Sequence, residues 1–523
     1  MNLCMFSTHY LFSILLYMIV MSGMLTVLAK NGKDKKNEIQ VPKEVVVVGG
    51  GMAGMAAARR LVKSKTVNVH VYEARKDRYG GRIWTNRDLA RGVRGVDVDI
   101  GGMFLNNKAK NNPLVKLAEE FELETRNAGS LQVRIFDGKD RKMYSGVNAT
   151  DLYREAFQII IKAMQNVHYK SDISMSRLAS EAIQMAYEQS DEAKTAPLFP
   201  REILEPLIRS FPTVMLQNFS SKFYDIQTDF GWDTIIVDGI GALLDRIVSG
   251  SSGLEPPLKV QLNKVLRNIQ VDDKRKKVII RTTDKKQVLA DAVVIALPLG
   301  VLKSDALWFE PRLPEKLTKA LDEIGIGYSG KIIVGFDEAF WPQEVGTFTA
   351  CSDTAKNGFL QTWFNAYRLS GNPYLHGNIL GDEAKVWETK PETELKAAVL
   401  KVLGEMFGED IVNARKVTSF VVSEWSTDEF VQGSVSYAKV GNTRDIWQTL
   451  QEPVCPYIYF AGAYTESIGH VDSLHGAYNS GIRAAEQILD NFCTKQAKSK
   501  SKKQPAKKPN VIKHNVTMRK DEL

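Results

Sequence analysis

The stretch 45–61 reads VVVVGGGMAGMAAARRL, and no other part of the chain restricts the fold so tightly. Four consecutive β-branched valines suit a strand buried on both faces. The alanine-rich run after them suits a helix. Between the two, Gly49, Gly51 and Gly54 make a GxGxxG turn. The first glycine permits the tight turn, the second lets backbone approach a pyrophosphate, and the third lets helix and strand pack closely. Met52 and Ala53 then open a helix whose free N–H groups and positive dipole end face the phosphates.

The next strand, NVHVYEA, ends at Glu73, 19 residues after Gly54. A carboxylate there accepts hydrogen bonds from ribose hydroxyls and repels a 2′-phosphate. Ala74 and Arg75 follow it, and Gly80-Gly81-Arg82 supplies a second tight turn with a cation placed to meet the pyrophosphate from the far side. These residues imply a dinucleotide with an unphosphorylated ribose.

Elements with a nucleotide-binding look recur in the middle and at the end of the 523 residues. The stretch 151–209 is largely helical in pattern and carries no nucleotide motif. The simplest architecture is an α/β, Rossmann-like domain from 43–115, 232–312 and 434–494, interleaved with a mixed α+β substrate domain from 116–231 and 313–433. One feature of the second domain stands out. GKIIVGF places Lys331 at the head of an otherwise apolar strand. Charged groups avoid such positions unless something compensates them.

The formal net charge is +8, but Lys495 onward holds ten Lys or Arg against two acids. The body is therefore neutral, which argues against nucleic-acid binding. The segment 495–523 reads as a basic, disordered tail. An apolar run before Ala29 reads as a signal peptide over 1–29, leaving no stable membrane span. Lys520-Asp521-Glu522-Leu523 is the address bound by the ER-retrieval receptor. Asn148, Asn218 and Asn515 are glycosylation acceptors. The expected location is the ER lumen. The cysteines have no metal spacing, and no metal is expected.

In order along the chain, six further segments resemble the flavin-containing amine oxidases: DIGGMFL, LNKVLRNI, ADAVVIALPLGVL, GKIIVGFDEAFWP, SEWSTDEFVQGS and YFAGAYTES with LHGAYNSGIRAAEQIL. The QLNKV and FWP segments are most similar to polyamine oxidases. The resemblance implies FAD as cofactor, O2 as oxidant and an amine as substrate. It implies that Gly101, Gly102, Met103 and Phe104 run along the flavin ring, that Val265 meets adenine through its backbone, and that Trp425 packs on the flavin. It also implies that Gly462 and Ala463 belong to the closing flavin motif and that Leu474 starts the helix facing the flavin. Lys331 is then the catalytic lysine that holds a water beside the ring. His475 reads as structural.

Three departures concern the pocket. Ala463 stands where the family has Glu, which implies weaker FAD binding or substitution by Glu466. Val435 and Ser473 stand where aromatic rings usually frame the amine, with Tyr437 displaced by two residues. Asn106 stands where polyamine oxidases tend to have Glu or His. The expected pocket is wider and less aromatic than usual. Polyamine oxidation, L-amino-acid oxidation on the same fold, and a catalytically degenerate FAD-binding protein are the readings these residues leave.

Overall fold

A computed structural model describes residues 43–89, 97–106, 112–128, 132–166, 172–188, 197–212, 218–223, 232–250, 255–466 and 472–502. The apolar N-terminal run, Asn515 and the terminal KDEL lie outside the described residues.

The four valines lie in the central strand, Lys43–Val48, of a five-stranded sheet. The order is Val260–Gln261, Val67–Tyr72, Lys43–Val48, Ala292–Ile295 and Ile458–Phe460. Val45–Val48 run parallel to Ala292–Ile295, which in turn run parallel to Ile458–Phe460. The period of two sends alternate valines to opposite cores. Val45 and Val47 pack with Ala57, Leu61, Leu243, Ala484 and Ile488 from three helices. Val46 and Val48 pack with Ile269, Ile280, Leu321 and Trp447 on the other side. All four are essentially inaccessible, so a charge at any of them would be stranded.

The helix Met52–Lys63 packs on the C-terminal helix Leu474–Lys502. Gly481 makes this possible: a Cβ there would sit 2.1 Å from the Ala53 carbonyl oxygen. The C-terminal helix runs past the boundary at 494 that composition suggested; 503–523 lie outside the described residues.

The second large sheet has seven strands, ordered Val417–Val422, Ser329–Phe336, Tyr374–Leu380, Phe359–Asn365, Val345–Cys351, Gln132–Asp137 and Lys142–Tyr144. Its pairs are antiparallel except that between Val345–Cys351 and Gln132–Asp137. Helices Gly146–Asn166, Met175–Glu188 and Arg201–Arg209 form their own apolar cluster against Ile135 and Cys351. Asn148 and Asn218 are both exposed. No helix among the described residues is long and apolar enough to cross a membrane.

Candidate active site

A cavity of about 790 Å3 runs from the glycine turn to Lys331. Every residue singled out above for cofactor, catalysis or pocket lines it, except Gly54, Asn106, Tyr437 and Glu466.

At one end the glycines leave room that side chains would fill. Gly49 has φ +110°, and a Cβ on it would lie 2.4 Å from the Ala296 carbonyl oxygen. Gly54 is outside the cavity because its job is packing: a Cβ would fall 1.9 Å from the Gly49 carbonyl oxygen. No side chain caps the helix at Gly51. Its first N–H groups are therefore available to an anion in the cavity. Glu73 is buried, accepting from the Gly50 N–H and the Arg75 N–H, each at 2.9 Å. Each oxygen keeps lone-pair capacity for a ribose hydroxyl. The second turn is tied to the first by Gly80 N–H donating to the Gly50 carbonyl at 2.8 Å. This end fits a dinucleotide: an uncapped helix start, a Cβ-free cradle and a fixed carboxylate.

Arg75 is paired with Asp428, and Arg82 donates to the Ser434 carbonyl and, at 2.7 Å, to the Asp472 carboxylate. Arg82 thus ties the second turn to the strand carrying Val435 and to the residue before Ser473. Asp472 is a site residue that motif reading missed. Burial pushes its carboxyl up, and the Arg82 guanidinium opposes this.

At the other end, Lys331 Nζ donates to the carbonyls of Asp99 and Gly101, both at 2.8 Å. Its own N–H is held by Ser423 Oγ at 2.8 Å. An ammonium has three protons, so these bonds leave one donor on a side chain that lines the cavity. Burial pushes Lys331 down to about 8, with Asp99 pulling the other way. Burial likewise lifts the Asp99 carboxyl to about 6, against the Thr85 hydroxyl, the Lys331 charge and the Ile240 N–H. Lys331 is thus clamped onto the segment resembling the family's flavin-ring loop.

Trp425 is buried edge-to-face with Trp84, centroids 6.2 Å apart, and lines the cavity. Leu474 lies against Gly102, where a Cβ would come within 3.6 Å of it. Ser473 Oγ accepts from the Gly476 N–H at 3.0 Å, so this hydroxyl caps the last helix. It also lies 3.3 Å from His475 Nε2, which fits a structural role for that histidine.

Four expectations need correction. Tyr437 does not fill the space beside Val435; its ring packs over Gly325 and against Phe219, 5.9 Å between centroids. Asn106 is buried on a strand paired with Trp232–Ile236 and stands outside the cavity wall. Glu466 points to Arg483 at 3.5 Å and does not replace the carboxylate absent at Ala463. The cavity is also more aromatic than Val435 and Ser473 suggested. Phe104 and Phe364 line it as an edge-to-face pair at 5.6 Å. Phe364 comes from a strand with no motif, so only cross-strand register reveals it.

The comparisons agree with this geometry. Residues 52–489 match the family model for flavin-containing amine oxidoreductases. The chain is 27% identical over 481 residues to polyamine oxidase 3 of Oryza sativa subsp. japonica, covering 88% of this chain and 93% of that one. It is 28% identical over 466 residues to polyamine oxidase 2 of Arabidopsis thaliana, covering 86% and 89%. Among solved structures, cyclohexylamine oxidase from Brevibacterium oxydans IH-35A has the same fold, with TM-score 0.64 at 20% identity, covering 86% of this chain and 100% of that one. A glycine cradle, a buried carboxylate beside it and a clamped lysine on one cavity, with a family match spanning 52–489, place the chain in the flavin-containing amine oxidoreductase family.

Proposed function

We propose that this enzyme oxidises linear polyamines or related amines, releasing an aldehyde and a shortened amine. Its class follows from the family: it is an FAD-dependent amine oxidase. The observation that carries the reading is one cavity joining the dinucleotide cradle to Lys331. Curated relatives named as polyamine oxidases support the substrate class.

When bound, FAD would supply the two-electron chemistry, taking a hydride equivalent from the carbon beside the amine nitrogen and delivering it, with a proton from the amine, to O2 as H2O2; water then hydrolyses the resulting imine to the aldehyde and the shortened amine. Glu73 would hold the ribose, and the helix start at Met52 and Ala53 would face the phosphates. The loop 101–104 and Trp425 wall the ring end, where Lys331 keeps a donor for a water. A cation there stabilises negative charge as O2 is reduced. The parallel sheet serves the cofactor and the seven-stranded sheet the substrate.

Ser473 and Val435 leave the amine without rings at the usual places, so a short amine has fewer contacts than a long one to hold it. A long polyamine gains remote contacts that orient its reacting carbon. In a peroxide assay, kcat/KM is expected to rise with chain length, with spermine or an acetylated polyamine ahead of benzylamine and tyramine. A preference for monoamines or an L-amino acid would overturn the polyamine reading and leave the oxidase class.

The location proposed is the ER lumen, supported by the apolar run before Ala29, the terminal KDEL and the exposed acceptors Asn148 and Asn218. Deleting the last four residues should send the protein to the medium. Retention in membranes after that deletion would make the apolar run an anchor.

A further inference from the structure

His376 is 3% exposed, and neither ring nitrogen has a hydrogen-bond partner. A buried imidazole with two unmet polar atoms is costly unless something absent from the protein itself meets them. Its place in the sheet indicates what does. His376 stands opposite Ile333, and Lys331 stands opposite Asn378 on the same strand pair. Side chains two residues apart share a sheet face, so Lys331, Ile333, His376 and Asn378 all point the same way. Lys331 and His376 are diagonal neighbours, within reach of long side chains. Lys331, His376 and Asn378 all line the large cavity.

His376 also lines a second chamber of about 20 Å3, with Asp97, Asp99 and Ser370 on its wall. That is room for one water. Met103, Phe364 and His376 border both spaces and form the partition between them. The Phe364 ring lies 5.8 Å from the imidazole and holds it in place.

We propose that His376 is a positioning residue for the amine: one ring nitrogen accepts a hydrogen bond from the substrate nitrogen beside Lys331, and the other donates to a water in the small chamber. A neutral imidazole is needed, since it alone both donates and accepts. Burial and the nearby Lys331 charge keep it neutral, pushing its pKa down to about 3. The charged or titratable groups facing it are Lys331 across the strand pair and Asp97 and Asp99 across the chamber. This partly replaces what Val435 and Ser473 do not supply: the amine is held by a hydrogen bond from the sheet face.

The proposal rests on the amine-oxidase reading. Its test uses the FAD-loaded enzyme, mixed anaerobically with spermine or with whichever amine gives most peroxide. The dependence of flavin bleaching on amine concentration yields the amine Kd and the limiting rate separately. His376→Leu is expected to fold, keep its FAD, and raise Kd about tenfold or more. His376→Gln, neutral with both a donor and an acceptor, is expected to recover most of that loss. A Leu variant with wild-type Kd would overturn the proposal. So would a folded Gln variant as weak as the Leu variant, because packing alone would then explain both. If the best amine is a monoamine, the polyamine reading falls and the same variants decide this one with that amine. A wild-type flavin that no amine bleaches overturns both.

Discussion

Lys331→Met is expected to keep FAD bound and to lose about tenfold or more in turnover, at least ~1.4 kcal/mol of barrier lowering. The glycine cradle proposed for FAD is built from other residues, so the protein should stay yellow. What disappears is the cation fixed by the Asp99 and Gly101 carbonyls. The pH dependence has a definite sign. Lys331 is charged below about 8 and loses its proton as pH rises through that value. Reoxidation by O2, which uses the charge, should therefore be fastest below 8 and fall above it. Asp99, lifted to about 6, adds its own inflection on the acid side. In Lys331→Met the fall near pH 8 should vanish while any acid-side inflection persists. Stopped-flow measurement of reduction and reoxidation across pH separates these. Unchanged rates in both half-reactions would return Lys331 to a structural cation.

Gly54→Ala is expected to cost FAD binding, although the residue touches no part of the cavity. Its added Cβ would sit 1.9 Å from the Gly49 carbonyl oxygen, backbone that cannot rotate away. The helix Met52–Lys63 must retreat, and it carries with it the N–H groups that face the cavity. Overpacking of this kind costs about 1–3 kcal/mol. Expressed in cofactor affinity, that is roughly 5- to 150-fold. The ratio of flavin to protein absorbance after dialysis reads it directly. A variant that retains wild-type FAD content would show that the helix start does not hold the cofactor as described.

What was legible in the sequence is what the backbone encodes locally. The glycine turns, Glu73 and the strand of Lys331 follow from spacing and side-chain type, because each acts within one β-α unit or one strand. The ring-end residues Trp425 and Leu474 came from resemblance, and the cavity includes both. Partners that meet only through space were not legible. Arg82 reads as a phosphate ligand, yet its bond to Asp472 joins residues 390 apart. His376 and Phe364 are ordinary members of apolar strands until register sets His376 on the same face as Lys331 and Phe364 opposite His376. Tyr437 and Asn106 went wrong for the converse reason. Their places follow from motif offset alone, whereas the Tyr437 ring is taken up over Gly325 and against Phe219, and the pairing of Asn106's strand with Trp232–Ile236 buries Asn106 outside the cavity wall. Ser473 shows one position serving two demands: the hydroxyl that departs from the aromatic pattern is also the cap of the helix behind it.

The most direct test is an anaerobic titration of the purified, FAD-loaded enzyme with spermine. The flavin absorbance is expected to bleach with one equivalent of amine, admitting air is expected to restore it, and one H2O2 should appear per amine oxidised. A folded, yellow protein whose absorbance no polyamine, monoamine or amino acid bleaches would contradict the amine-oxidase reading.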